Sequence, residues 1–436
     1  MLKKLILITF ICYLPLQLKL PNIPVFPVIN ILLIFMLGLF LTTRNDKFIA
    51  PKFEIPMMLF LVAWLFSFIF ACMFTDGMPR IEIAREFKRL YMLPIGYFVI
   101  SRCITDKKEI PFYFMAFLLC VLFAGHNTLR NGVLSGANYA IHKRSSGPFG
   151  FGWQASDIAG GFLATFTPLL LAYFFFARNR LYKLLSAIAV GICGLGIMAT
   201  YSRGSLMALL FACVAIVVVS MHELAKESKI NFLVIIIGLV LGGVFWKLWV
   251  PQSIIARVEG TIVLDEEEKE YQDYSLQDEE GESILDESSQ LRMKAWNEGY
   301  KFFVDNPLTG IGFRQVQFQL GHDPHNAFVL IAAEMGAVAF LIFVWFLLSI
   351  IGLGFRLMGT EFNNLAVGSI GMMVAFITVN FFYSNFFRDN VVGSFWIILG
   401  LLAAANSFVQ NQKGEDKNDE PAAPQSYAEY RKRYLT

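Results

Sequence analysis

Charge is scarce in this sequence. Only 16% of its 436 residues are Asp, Glu, Lys or Arg. Soluble domains carry about 25%, so the chain has too little charge for a water-exposed surface. A basic excess is also missing: 36 Lys+Arg against 34 Asp+Glu leave nothing to track a phosphate backbone, which excludes a nucleic-acid binder. The six cysteines (Cys12, Cys72, Cys103, Cys120, Cys193, Cys213) fall in or beside apolar runs, with no Cys-x-x-Cys pair and no metal-ligand spacing. That pattern offers neither a disulfide framework nor a zinc site. There is no Walker motif and no soluble sugar-nucleotide domain, so no nucleotide cofactor is expected. Inverted repeats with broken helices at mid-membrane, as a transporter would have, are not apparent either.

What fills the chain is oil: 56% of residues are hydrophobic, and the mean hydropathy is +0.57. We expect an all-α polytopic membrane protein, since a bilayer admits only self-satisfied backbones. At roughly 20 apolar residues per span, about twelve spans are expected, at 4–18, 25–43, 55–74, 86–103, 109–128, 157–177, 182–200, 204–222, 230–250, 326–355, 363–384 and 391–408. The domain plan is then nine spans over 1–250, an outer loop over 251–325, three spans over 326–408 and a disordered cytoplasmic tail over 409–436. Met1 to Leu20 resembles a signal peptide but lacks a small-residue cleavage site, and we take it as a retained first helix.

Basic residues set the orientation. Lys3, Lys4, Arg44, Lys47, Lys52, Arg102, Lys107, Lys108, Arg178, Arg180, Lys183, Lys226, Lys229 and Arg356 all fall in alternate short loops, which places both termini in the cytoplasm. Some bases then sit outside against the rule: Arg80, Arg85, Lys88 and Arg89, and also Arg130, Lys143 and Arg144. The long outer loop carries thirteen acids against one lysine between Glu259 and Glu287. Such a like-charge block reads as solvated and disordered rather than a calcium site, because no Asp-x-Asp-x-Asp-Gly spacing appears.

Four constellations fall on the expected outer face. The first, Thr200-Tyr201-Ser202-Arg203-Gly204-Ser205, is a very short link that fixes Arg203 at membrane depth, where an ionisable group is costly. Gly204 permits close approach by a ligand or by another helix, and the alternative for Arg203 is snorkelling to headgroups. The second places Arg292, Trp296 and Tyr300 or Lys301 at helical spacing before a glycine turn, Asn306-Pro307-Leu308-Thr309-Gly310-Ile311-Gly312. Its alternative is a helix that merely rests on the membrane.

The third is Gly321-His322-Asp323-Pro324-His325-Asn326, where Asn326 can cap the following span and hold His325 at the positive end of a helix dipole. A neutral His325 there suits a general base better than a metal ligand, a cap histidine being the alternative. The fourth is a glycine-rich loop, Arg144 to Gln154, whose amides could cradle an anion. Glu334, Arg388 and Asp389 read as buried charges that either pair with one another or take part in chemistry. Fixed guanidiniums grip a diphosphate bidentately, and a base beside it can deprotonate an attacking hydroxyl. With no nucleotide site, the activated donor is expected to be lipid-borne.

At these residues the chain resembles the bacterial O-antigen ligase and polymerase family. The matching pieces are Tyr201 to Gly204, Arg292 with Trp296, Asn306 to Gly312, His322 to Asn326, and Glu334-Met335-Gly336. The chain departs from the family at Phe151-Gly152-Trp153-Gln154, where an Asn-Pro-Asn run is usual. The resemblance implies a GT-C-like architecture and a periplasm-facing glycosyltransferase in the bacterial inner membrane. It implies an undecaprenyl-diphosphate-linked glycan donor, a lipid A core or other glycan acceptor, surrounding membrane lipids as partners, and no metal or other cofactor. By the same resemblance His325 activates the acceptor hydroxyl, while Arg203 and Arg292 bind the diphosphate. Arg85, Arg89, Arg144, His322, Asn326, Glu334 and Arg388 are further candidates for the site. The leading expectation is a ligase acting on lipid A core; a glycan polymerase or a protein O-oligosaccharyltransferase would use the same chemistry.

Overall fold

The computed structural model describes residues 2–16, 28–43, 45–74, 79–136, 144–150, 153–177, 179–227 and 287–419. The expected ninth span at 230–250, the acidic stretch up to residue 286, His142, and the tail beyond residue 419 lie outside the described residues. Among the described residues every regular element is a helix, and eight helices are long and apolar enough to cross a membrane. This is a polytopic all-helical membrane protein.

In chain order the helices are α1 (Leu2–Leu16), α2 (Val28–Thr42), α3 (Glu54–Phe74), α4 (Arg80–Tyr91), α5 (Pro94–Cys103), α6 (Glu109–Ser135), α7 (Trp153–Phe176) and α8 (Arg180–Ala199). They continue with α9 (Arg203–Glu227), α10 (Glu287–Asp305), α11 (Gln315–Leu320), α12 (Ala327–Leu357), α13 (Asn363–Phe382) and α14 (Asp389–Asp419). The bundle is built around α14, whose apolar window is 94% buried, whereas that of α3 is 33% buried. On α3, Met57, Phe60, Trp64 and Ala71 face the core, while Ile55, Leu59, Val62, Phe66 and Met73 are exposed on the other side. An apolar residue exposed at this depth marks the lipid-facing stripe, the inverse of a soluble amphipathic helix.

Two of the expected spans are interrupted. The run at 86–103 is broken at Met92-Leu93, so that α4 is an amphipathic helix and only the ten residues of α5 continue inward. The cause is chemical: Ile83, Phe87 and Leu90 are buried along one stripe of α4, while its other positions carry Arg85, Lys88 and Arg89, too much charge for lipid. Pro94, with no N–H to donate, then starts the next helix. The span at 326–355 is also discontinuous, since Gly336 in α12 has φ 81° and ψ 176°. The glycine turn 306–312 plugs this gap. Ile311 N donates to Ala333 O at 2.9 Å, Gly312 N to Glu334 O at 3.0 Å, and Ala337 N to Pro307 O at 2.8 Å. The broken helix thereby recovers partners for backbone groups that lipid would leave orphaned. Gly310 and Gly336 allow the approach, since an added Cβ would come within 2.4 Å of Glu334 C and 2.2 Å of Leu308 O.

Polar contacts gather the loops into two ends. At one end Lys3 Nζ donates to Cys103 O (3.0 Å) and meets Glu109 (3.1 Å), Asn45 N donates to Arg102 O (2.8 Å), and Lys107 pairs with Glu361 (3.0 Å). At the other end Asn390 Nδ2 donates to Pro15 O (3.1 Å) and Arg89 meets Asp389 (3.3 Å). The second end holds the candidate site.

Candidate active site

The α8–α9 link contains only Thr200, Tyr201 and Ser202, all buried. Thr200 Oγ1 donates back to Ile197 O at 2.6 Å, and Tyr201 turns the chain at φ 52°. Ser202 Oγ lies 2.6 Å from Ser205 Oγ and 2.8 Å from Tyr383 Oη. Gly204 abuts the end of α13, where an added Cβ would come within 2.8 Å of Phe382 Cβ. Of the two readings for this glycine, close helix packing is the one realised. Arg203, which opens α9, is therefore held between two neighbours that both contact Tyr383 or the residue before it.

Arg292 reaches the same tyrosine from α10. Its guanidinium carbon lies 5.2 Å from the centroid of the Tyr383 ring, a cation–π contact that orients the charged group without neutralising it. One turn further along, on the same face of α10, Trp296 Nε1 donates to Pro324 O at 2.8 Å and its ring meets Phe381 edge-on at 5.2 Å. The spacing of four between Arg292 and Trp296 thus ties one residue to Tyr383 and the other to the histidine loop.

His325 is half-buried and adopts a left-handed backbone, φ 54°. Asp323 stabilises that conformation: its Oδ1 accepts from His325 N (2.8 Å) and from Ser384 Oγ (2.6 Å), and its Oδ2 lies 3.6 Å from Arg388. Asn326 caps α12 as expected, with Oδ1 accepting from Phe328 N (2.9 Å) and Val329 N (3.1 Å). Burial pushes the His325 pKa below its ordinary value. The Asp323 and Asp157 carboxylates oppose this, and the Arg292 and Arg388 guanidiniums reinforce it. The ring is therefore neutral at pH 7 and able to accept a proton.

The remaining candidates divide. Arg144 pairs with Asp157 at 2.5 Å and its Nε donates to Thr200 O at 2.7 Å, which ties its loop to the α8–α9 link. Gly147 of that loop packs on α6, where an added Cβ would overlap Thr128 Oγ1 at 2.2 Å, so this glycine serves packing rather than an anion cradle. Pairing among Glu334, Arg388 and Asp389, one of the two readings of these residues, does not form. Arg388 faces Asp323 and Asp389 faces Arg89, while the buried Glu334 is approached by the backbone amides of Arg314 and Val316 at the start of α11. His322 is exposed on the surface. Arg85 and Arg89 lie on α4, in a separate cleft beside Arg388. Sequence reading missed Tyr383, Arg314, Ser384 and Asp157. For Asp157 a signal existed, an acid at the start of the apolar run 157–177; for Tyr383, in a chain with 15 tyrosines and 44 phenylalanines, there was none. Among the described residues no three His, Cys, Asp or Glu side chains gather as a metal ion requires.

The end of the bundle thus places a neutral imidazole beside fixed guanidiniums, with its loop anchored from α10 and from the 383–388 segment. Residues 188–344, which contain Arg203, Arg292, His325 and Glu334, match the family model described as O-antigen ligase. The match covers little more than a third of the chain, which over that stretch is similar to the O-antigen ligase family. The ligase domain runs from within α8 to within α12, so Tyr383, Ser384 and Arg388 that complete the site come from outside the matched stretch. No curated protein gives a match to the chain. This similarity supports a glycosyltransferase-like enzyme of the ligase and polymerase type, a class that uses a lipid-linked glycan donor and a glycan acceptor.

Proposed function

We propose that the protein transfers a glycan from undecaprenyl diphosphate to a sugar hydroxyl of lipid A core, at the periplasmic face of the bacterial inner membrane, with both termini cytoplasmic. The supporting observation is His325, kept neutral by burial, in the field of Arg292, while Arg292 and the Arg203 link share Tyr383.

In this reading the acceptor hydroxyl gives its proton to a ring nitrogen of His325 as its oxygen attacks the anomeric carbon. The bond from that carbon to the diphosphate oxygen breaks on the opposite face, so the configuration inverts. Negative charge grows on the leaving diphosphate, and Arg203 and Arg292 stabilise it. Arg292 is held against Tyr383 and Arg203 stands on the first turn of α9 rather than on a free loop, so little reorganisation is needed as that charge develops. The products are the extended acceptor, undecaprenyl diphosphate and a protonated His325, which then releases its proton to water.

The test uses purified protein, a defined undecaprenyl-diphosphate glycan, and core lipid, a second lipid-linked glycan or a peptide as acceptor. Growth of core lipid is expected; growth of the lipid-linked glycan or of the peptide instead would replace the ligase assignment by a polymerase or a protein glycosylase. His325→Ala is expected to lower transfer by roughly 10²- to 10⁴-fold, the usual contribution of a general base. Undiminished transfer by that variant would overturn the base assignment.

A further inference from the structure

A cleft of about 500 Å³, lined by residues of α4 and α11, opens beside Arg388. Its lining includes Arg85, Arg89, Arg314 and Arg388 against Glu82 and Glu86, four cations to two anions. Glu86 in the wall and Asp323 and Asp389 beside it engage only part of the donors of these arginines. Glu86 is shared by Arg89 (2.6 Å) and Arg314 (2.9 Å), Arg89 also meets Asp389 (3.3 Å), and Arg388 meets Asp323 (3.6 Å). Arg85 is exposed and makes no ion pair among the described residues, and Arg314 Nε is a buried donor without a partner. A guanidinium carries five N–H donors in a planar fork, so this wall retains donors for a ligand. Phe318, 44% exposed, adds an apolar ring face of the kind that suits the C–H face of a sugar.

Position gives the cleft its meaning. Arg388 lines it and also holds Asp323, whose Oδ1 accepts from His325 N. The imidazole therefore feels two guanidiniums, Arg292, which stacks on Tyr383, and Arg388, which lines the cleft. An inverting transferase must bring the acceptor hydroxyl and the leaving diphosphate to opposite faces of the anomeric carbon, and Arg203 and Arg292 are assigned to the diphosphate. We propose that the arginine cleft is an anion subsite for the acceptor glycan, binding a phosphate or carboxylate substituent near the hydroxyl that is glycosylated. This rests on the transfer reading for the identity of the acceptor, though not for the binding of the anion.

The experiment uses the full chain in nanodiscs and a core lipid acceptor either carrying its sugar phosphates or treated with phosphatase. Wild-type protein is expected to show a KM for the phosphorylated acceptor about tenfold below that for the treated one, the scale of one charge-assisted hydrogen bond. Arg85→Glu, which breaks no ion pair, should erase the difference without changing the donor KM, and Arg85→Lys should retain most of it. Equal KM values for the two acceptors with wild-type protein, or an equal loss on both with Arg85→Glu, would overturn the proposal. An Arg85→Glu effect that follows phosphatidylglycerol content of the nanodisc, and not acceptor phosphorylation, would assign the arginines to lipid headgroups instead. Binding of fluorescent core lipid to His325→Ala protein separates the two readings. Phosphate-dependent binding that persists where wild-type transfer fails upholds the cleft and removes the reaction; phosphate-independent binding removes the cleft alone.

Discussion

Tyr383 is the residue on which the donor side of the site turns, and its ring and hydroxyl can be tested apart. The ring lies 5.2 Å from the Arg292 guanidinium carbon, and Arg292 is only half-exposed, so the cation–π contact is worth about 1 kcal/mol. The hydroxyl lies 2.8 Å from Ser202 Oγ, which keeps Ser205 Oγ at 2.6 Å when Tyr383 is shortened and so is not orphaned. Tyr383→Phe should therefore cost about 0.5–1 kcal/mol of stability and leave the donor KM within about twofold, because the ring stays. Tyr383→Leu should cost about 2 kcal/mol through the volume lost at a buried site. It should also raise the apparent donor KM by about fivefold, since 1 kcal/mol is most of a decade in binding. The acceptor KM should not change in either variant. The measurements are thermal unfolding in detergent and initial rates across donor concentration. If Phe raises the donor KM as much as Leu does, or if Leu leaves it unchanged, the ring is not what orients Arg292.

Because burial lowers the His325 pKa in the free protein, the neutral ring persists into acid, and the acidic limb of kcat/KM against pH should have its midpoint below about 6.5. In the window between the folded value and about 6.5 the unfolded chain binds the proton first, so stability should rise with pH there. Asp323→Asn keeps an acceptor for His325 N but removes a charge that raises the pKa, and should move the limb further acidic; a midpoint above about 6.5 in the parent would refute the burial argument. Gly336→Ala would place a Cβ 2.2 Å from Leu308 O on a backbone only glycine adopts readily, and should cost about 3 kcal/mol or more, seen as a fall in Tm. An unchanged Tm would mean that the plug by 306–312 contributes little.

The bundle itself was legible because a bilayer leaves a backbone few choices: a long apolar run must be a helix, and the runs around α3, α6, α7, α8, α9, α12, α13 and α14 all are. Hydropathy failed where charge and glycine decide locally. It merged α4 with α5, although the outlying Arg85 and Arg89 had marked that segment as unusual, and it ran through Gly336, because a single glycine does not lower the apolar average. Spacing within a motif was also informative. Arg292 and Trp296 share a helix face, and Asn326 caps the helix that it precedes, since both follow from local geometry.

The sequence alone therefore determined that this is a helical membrane protein, which motifs are unusual, and that His325 stands at a helix mouth. Only the tertiary structure decided what those motifs do to one another. The turn 306–312 and the break at Gly336 proved to be a single feature, and Ser202, Arg292 and Tyr383 proved to be neighbours. Arg388 met Asp323 rather than Glu334, which places its charge near the base. The physical reason is that polar side chains at the end of a bundle choose partners by proximity in space, across gaps of 61 residues for Ser384 and Asp323 and 181 for Ser202 and Tyr383, and no helical period spans such a distance.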